Sequence, residues 1–273
     1  GFDGIRIPFD LCVEAEAFGC TIKAPSRDTP PSVIGPAFQT PDQFRISGDI
    51  FQKGRFDAVC EASSLLKERH RGKTPIYVGI TGPLTLAGHL CNASKFLKLI
   101  IKNIDELKRI LDAVADFCIE YANRLLKAGG DVVVVIDPTA SGDLISEKSF
   151  EIFLCPVYRK MHERINGKVI LHICGNTTRL LPFIPNTGFE GFSFEGPAVD
   201  VKTAKKALNS RTVLVGNIST RTLLLGAPEV IQDEVKAALD DGIDILAPAC
   251  GIPVHAPMHN LKAMVRAVNE YRR

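Results

Sequence analysis

Short, almost uninterrupted apolar runs recur along the chain: Ile5 to Phe9, Ile76 to Ile80, Val132 to Ile136, Val169 to Ile173, Gly191 to Phe194, Thr212 to Gly216 and Ile243 to Ala247. Runs of this length, rich in Val and Ile and without polar alternation, predict parallel strands covered on both faces. Between them the apolar period changes to that of a helix. After Asn103, the residues Ile104, Leu107, Ile110, Leu111, Val114, Cys118, Tyr121 and Leu125 fall on one stripe, which stops at Gly129-Gly130. This predicts a long amphipathic helix ended by glycine. Ser149 to Arg164, Pro228 to Asp240 and Pro257 to Tyr271 read as further cover helices. Strands that alternate with helices build βα units, so the fold class is α/β.

Seven such strands, the first starting almost at residue 1 of a chain with no initiator Met, predict a (β/α)8 TIM-type barrel. Its first strand and N-terminal segment are expected to lie outside this chain, and residues 1–273 are expected to form one barrel domain. About 250 residues is the usual size of that fold. The competing fold is an open doubly wound sheet. Its phosphate-binding versions lose support, because no G-x-G-x-x-G follows a strand and no G-x-x-x-x-G-K occurs.

Charge and composition narrow the partners. Lys and Arg total 33 against 31 Asp and Glu, a net charge of +2, which gives no electrostatic footprint for nucleic acid or an anionic membrane surface. No apolar run approaches the roughly 20 residues of a membrane helix. The eight cysteines are scattered through predicted helices and strands, unlike the framework of a small secreted domain, and a reducing cytoplasm is the expected location.

In a barrel, chemistry gathers at the C-terminal ends of the strands. There the chain places Asp10, Gly82-Pro83, Asp137, His172 with Cys174, Glu195, Asn217 and Cys250. Alternate residues of a strand share a face, so His172 and Cys174 can both point into the barrel mouth while Ile173 packs outward. Cys250 follows the last apolar run and would reach the same rim. One imidazole and two thiolates are the ligand set of a catalytic zinc site that keeps a fourth position open. The glycines that follow both cysteines, Gly175 and Gly251, would let the backbone turn beside the metal. The plainer reading is that each cysteine is a small core residue and the histidine a satisfied core group. The other six cysteines have no such neighbour and read as structural.

The segments Leu171-His172-Ile173-Cys174-Gly175-Asn176 and Ala247-Pro248-Ala249-Cys250-Gly251-Ile252-Pro253, with Asn260-Leu261-Lys262-Ala263, resemble the zinc-binding methylcobamide:coenzyme M methyltransferases of the uroporphyrinogen decarboxylase superfamily. So do Pro8-Phe9-Asp10 with Glu14-Ala15-Glu16, Gly82 to Ala87, Asp137 to Asp143, and Gly216-Asn217-Ile218-Ser219. The resemblance spans essentially the whole chain. It implies Zn2+ on His172, Cys174 and Cys250, and methyl transfer from a methylated corrinoid protein to the thiol of coenzyme M. A free alkyl thiol is mostly protonated at neutral pH and a poor nucleophile, and a thiol entering the open zinc position would lose its proton.

Glu195 is a candidate for the fourth zinc position until the thiol displaces it, or else a rim carboxylate. Asp137 and Asn217 are candidates for substrate contact or for support behind it, and Asp137 could instead cap its own turn through Thr139 and Ser141. The helix start after Ser219 and the side chain of Arg221 could offer donors to a sulfonate, although Arg221 reads more simply as a surface residue. His255 and His259 read as loop or helix-cap residues. Two other functions compete: a metal-free decarboxylase of the uroporphyrinogen type, and a non-catalytic module that docks a corrinoid protein.

Overall fold

All seven apolar runs become strands of a single parallel sheet. The computed structural model describes residues 1–196, 198–208 and 212–271. The sheet strands are β1 (Ile5–Ile7), β4 (Ile76–Thr81), β5 (Val132–Ile136), β6 (Lys168–Ile173), β7 (Gly191–Phe194), β8 (Val213–Ile218) and β9 (Ile245–Pro248), in that spatial order. Every pairing is parallel and strictly sequential. A curled parallel sheet with helices along its outside is the TIM-type architecture that the alternation predicts. The outer edges of β1 and β9 pair with no further strand among the described residues.

Two elements escape the apolar pattern. Strands β2 (Thr21–Lys23) and β3 (Ser32–Gly35) form a small antiparallel hairpin after β1. They are half-exposed and short, so they carry no buried run to announce them. The predicted helix from Ser149 to Arg164 is also not uniform: a single helical turn at Glu147–Ser149 passes into a π-helical stretch at Phe150–Leu154 before the α-helix Cys155–Arg164. Pro156 lacks the N–H that an unbroken α-helix would use there. Strand ends move as well. β1 stops before Pro8, β9 begins at Ile245, and β8 extends to Ile218, so Asn217 lies within the strand and not after it.

The period-2 pattern fixes which side chains face the barrel interior. Val133, Val135, Leu171, Ile173, Phe192 and Phe194 are buried in the layer between sheet and helices. Their neighbours Ile136, His172 and Ser193 therefore point inward, as does Arg6 of β1, whose flanking residues Ile5 and Ile7 pack into the outer layer. The long helix Ile104–Lys127 covers β4 and β5 with the stripe read from the sequence from Leu107 onward, while Ile104, in its first turn, is exposed. Asn103 caps its start by accepting from the Glu106 N–H at 3.2 Å, and Gly129 leaves its end with φ +119°. No helix among the described residues is long and apolar enough to cross a membrane.

Candidate metal centre

His172 and Cys174 share a face of β6 and the turn after it, and Cys250 stands two residues beyond β9. The curl of the sheet brings all three together: their ligand atoms lie within 4.8 Å of one another, the one group of this kind among the described residues. His172 Nε2 is 3.1 Å from Cys174 Sγ, and Cys174 Sγ is 3.4 Å from Cys250 Sγ. The sulfurs are free thiols, since a disulfide would need about 2.05 Å. A tetrahedral zinc with Zn–S of about 2.3 Å and Zn–N of about 2.0 Å would hold its ligand atoms roughly 3.5–3.8 Å apart. The observed spacings are a few tenths of an ångström shorter, so the cluster would have to open only slightly to accept the ion, and the donor set fits.

The two thiols do not titrate alike. Hydrogen bonding from Cys174, and then from His172, draws the Cys250 thiol well below its ordinary range. The bond to Cys250, followed by burial, drives Cys174 the other way. One proton shared over two close sulfurs accounts for the split.

The imidazole is oriented from behind. Ser193 is the register partner of His172 on β7, and its Oγ lies 2.9 Å from His172 Nδ1. Occupying Nδ1 leaves Nε2, the atom facing the thiols, free for a metal. Ser193 is absent from the sequence reading, although a single hydroxyl between Phe192 and Phe194 and two residues before Glu195 was a usable signal. Removing it as Ser193→Ala is expected to weaken zinc binding by roughly 10–100-fold, measured by competition with a chelator. Unchanged affinity would deny it this task.

Glu195 also faces inward, one pleat beyond Ser193. Its Oε2 accepts the Gly175 N–H at 2.7 Å, and its charge contributes to the raised pKa of Cys174. Gly175 is needed at the turn: its φ is +73°, and a Cβ there would lie 2.5 Å from Asp143 Oδ2 and 2.7 Å from Ser141 Oγ. The same carboxylate oxygen of Asp143 accepts the Asn176 N–H at 2.9 Å. Gly142 approaches Asn176 just as closely, 2.6 Å from an added Cβ to the carbonyl oxygen. The loop after β5 thus clamps the Cys174 turn. Gly251 departs from the expectation. Its φ is not positive and nothing stands near it, so the turn after Cys250 needs no glycine.

Asp137 is fully buried, and its carboxylate is engaged by four donors. They are the Leu84 N–H at 3.1 Å, the Thr85 N–H at 2.8 Å, the Thr85 hydroxyl at 2.6 Å and the Tyr158 hydroxyl at 2.8 Å. It caps the helix Pro83–Cys91 of the preceding βα unit, not its own turn through Thr139 and Ser141. Burial raises its pKa while the four donors act against this. No open face of the carboxylate remains for a ligand. Asn217 sits in β8 with its Nδ2 3.4 Å from the Val199 carbonyl oxygen and packs closely on Gly196. Arg221 is exposed. His255 pairs with Asp28 at 3.1 Å on the surface, and His259 is exposed, so neither joins the cluster. Of the six remaining cysteines, Cys12, Cys20, Cys91, Cys118 and Cys155 are buried and Cys60 is half-buried. Burial raises the pKa of each, as expected of structural thiols.

The uroporphyrinogen decarboxylase family model matches residues 1–271. The chain belongs to the uroporphyrinogen decarboxylase family. Within it, the chain is 39% identical over 273 residues to the methylcobamide:CoM methyltransferase MtaA of Methanosarcina barkeri, covering 99% of this chain and 80% of that protein. It is 34% identical over 277 residues to the methylcobamide:CoM methyltransferase MtbA of Methanosarcina acetivorans, covering 100% and 81%. A solved methyltransferase from Methanosarcina mazei superposes with a TM-score of 0.95 at 38% identity, over 99% of this chain and 81% of that one. This member of the uroporphyrinogen decarboxylase family therefore has the architecture of that methyltransferase over nearly its whole length.

Proposed function

We propose that this protein transfers a methyl group from a methylated corrinoid, carried by a separate protein, to the thiol of coenzyme M. The observation that carries the chemistry is the convergence of His172, Cys174 and Cys250 within 4.8 Å at the mouth of the barrel, in a chain whose relatives are named methylcobamide:CoM methyltransferases. A metal-free decarboxylase has no evident use for two thiols and an imidazole in contact at the mouth, and a docking module has no use for the cluster at all.

His172, Cys174 and Cys250 would hold the ion, with Ser193 fixing the imidazole and Glu195 as a displaceable fourth donor. Zinc, when bound, supplies the Lewis acidity that lowers the pKa of an incoming thiol. Two cysteinates among the donors keep the centre electron-rich, which favours alkylation of sulfur over activation of water. The carboxylate of Glu195, held by the Gly175 N–H beside Cys174, would offer an acceptor for the proton the thiol sheds. Asp137 acts by positioning: it ties β5 to the helix Pro83–Cys91 and so sets the loop that clamps Cys174. Asn217, on the inward face of β8, is the polar side chain best placed on that wall to contact the acceptor.

The test is a titration of the zinc-loaded protein with coenzyme M under weak buffering. About one proton released per thiol bound, and about one zinc per chain, is the expected result. Thiol binding without proton release would remove the proposed activation.

A further inference from the structure

Arg6 faces the barrel interior, and the function proposed above makes no use of its chemistry. It sits on β1 opposite Tyr77, and its side chain leans toward the mouth. At Gly79, two residues further along β4, an added Cβ would stand 3.5 Å from Arg6 Nε and 3.2 Å from Ile136 Cδ1. Ile136 is the register partner of His172, so the guanidinium ends in the layer that carries the imidazole. Gly79, having no side chain, leaves the room it occupies. Arg6 Nε is buried and has no hydrogen-bond partner among the described residues. Burial lowers the pKa of the guanidinium, and the neighbours that act against this lowering are the thiols of Cys250 and Cys174. A largely buried guanidinium whose Nε has no partner is costly, and it suits a place where an anion arrives. The other candidates are already committed: the Asp137 carboxylate is filled by its four donors, and Arg221 faces solvent.

We infer that Arg6 is the receptor for the acceptor's anionic head, so that a small thiol with its sulfur at His172, Cys174 and Cys250 sets a terminal sulfonate against the Arg6 guanidinium. This rests on the proposed thiol chemistry and names the residue that selects among thiols. The planar fork of arginine suits a tetrahedral oxyanion, which it can meet with two parallel N–H donors.

The zinc-loaded protein is titrated calorimetrically with 2-mercaptoethanesulfonate and, separately, with the uncharged 2-mercaptoethanol. The full chain is expected to prefer the sulfonate by about 10–100-fold, the range of charge-assisted hydrogen bonds. In Arg6→Gln the ratio should fall toward one through loss of the sulfonated thiol, with zinc content kept. Arg6→Lys, which keeps the charge without the fork, should fall between and decides the matter if Arg6→Gln does not fold. Wild-type preference in either variant overturns the assignment. So does an equal loss for both thiols, which would mean that Arg6 acts on the thiolate cluster and not on the acceptor. Failure of the unsubstituted, zinc-loaded chain to bind either thiol would instead overturn the thiol chemistry itself.

Discussion

Replacing Cys250 by alanine is expected to cost more than about 100-fold in zinc affinity, beyond the range seen when only a partner behind a ligand is lost, and to abolish methyl transfer. The reason is geometric. His172 and Cys174 come from one strand end and can present only two donors, and the remaining protein donor of the cluster is Cys250. The barrel itself should survive, because Cys250 is only part-buried and contributes little to the core. Metal content measured beside far-UV circular dichroism separates the two effects. A Cys250→Ala protein that still carries one zinc per chain would dismantle the proposed centre.

Asp137→Ala is expected to act on stability first. It would leave the Leu84 and Thr85 N–H groups and the hydroxyls of Thr85 and Tyr158 without their acceptor in a region closed to water. Stranding such a set costs on the order of 3–5 kcal/mol, which for a chain of this size lowers the melting temperature by roughly 10 °C. Asp137→Asn keeps one oxygen acceptor but turns an amide donor toward other donors, so it should fall between. Thermal unfolding of the three proteins gives the order directly. If Asp137→Asn melts like the unsubstituted protein but binds the thiol acceptor weakly, the positioning role assigned here is wrong and direct substrate contact returns.

The contrast between these two residues shows what a sequence discloses. Seven parallel strands were legible because burial on both faces forces unbroken runs of Val and Ile, and the period-2 rule was enough to set His172 and Cys174 on the same side as each other. That Cys250 joins them followed from the closure of the barrel, not from spacing. Asp137 was found for the right place, and of the roles open to it only the cap of its own turn through Thr139 and Ser141 is replaced, by Leu84, Thr85 and Tyr158: a strand-end carboxylate looks the same in sequence whichever turn it caps, and the chain path over Gly82 decides. Ser193 and Arg6 were hidden for a different reason. Each is a single polar residue inside an apolar strand, and its meaning lies in the residue opposite it on the neighbouring strand, which the linear order does not display. The β2–β3 hairpin left no trace because half-exposed strands of three or four residues bury too little to impose a pattern.

The separation of the ligands along the chain has one more consequence. Cys174 and Cys250 are 76 residues apart in sequence, and two further strands intervene between β6 and β9 in the sheet. An ion gripping both would work as a removable cross-link, tethering the last strand to the middle of the sheet and fastening the segment beyond it. Stripping the metal should then loosen the final quarter of the polypeptide while the long helix Ile104–Lys127 stays shut, a difference that amide hydrogen exchange with and without a chelator would reveal.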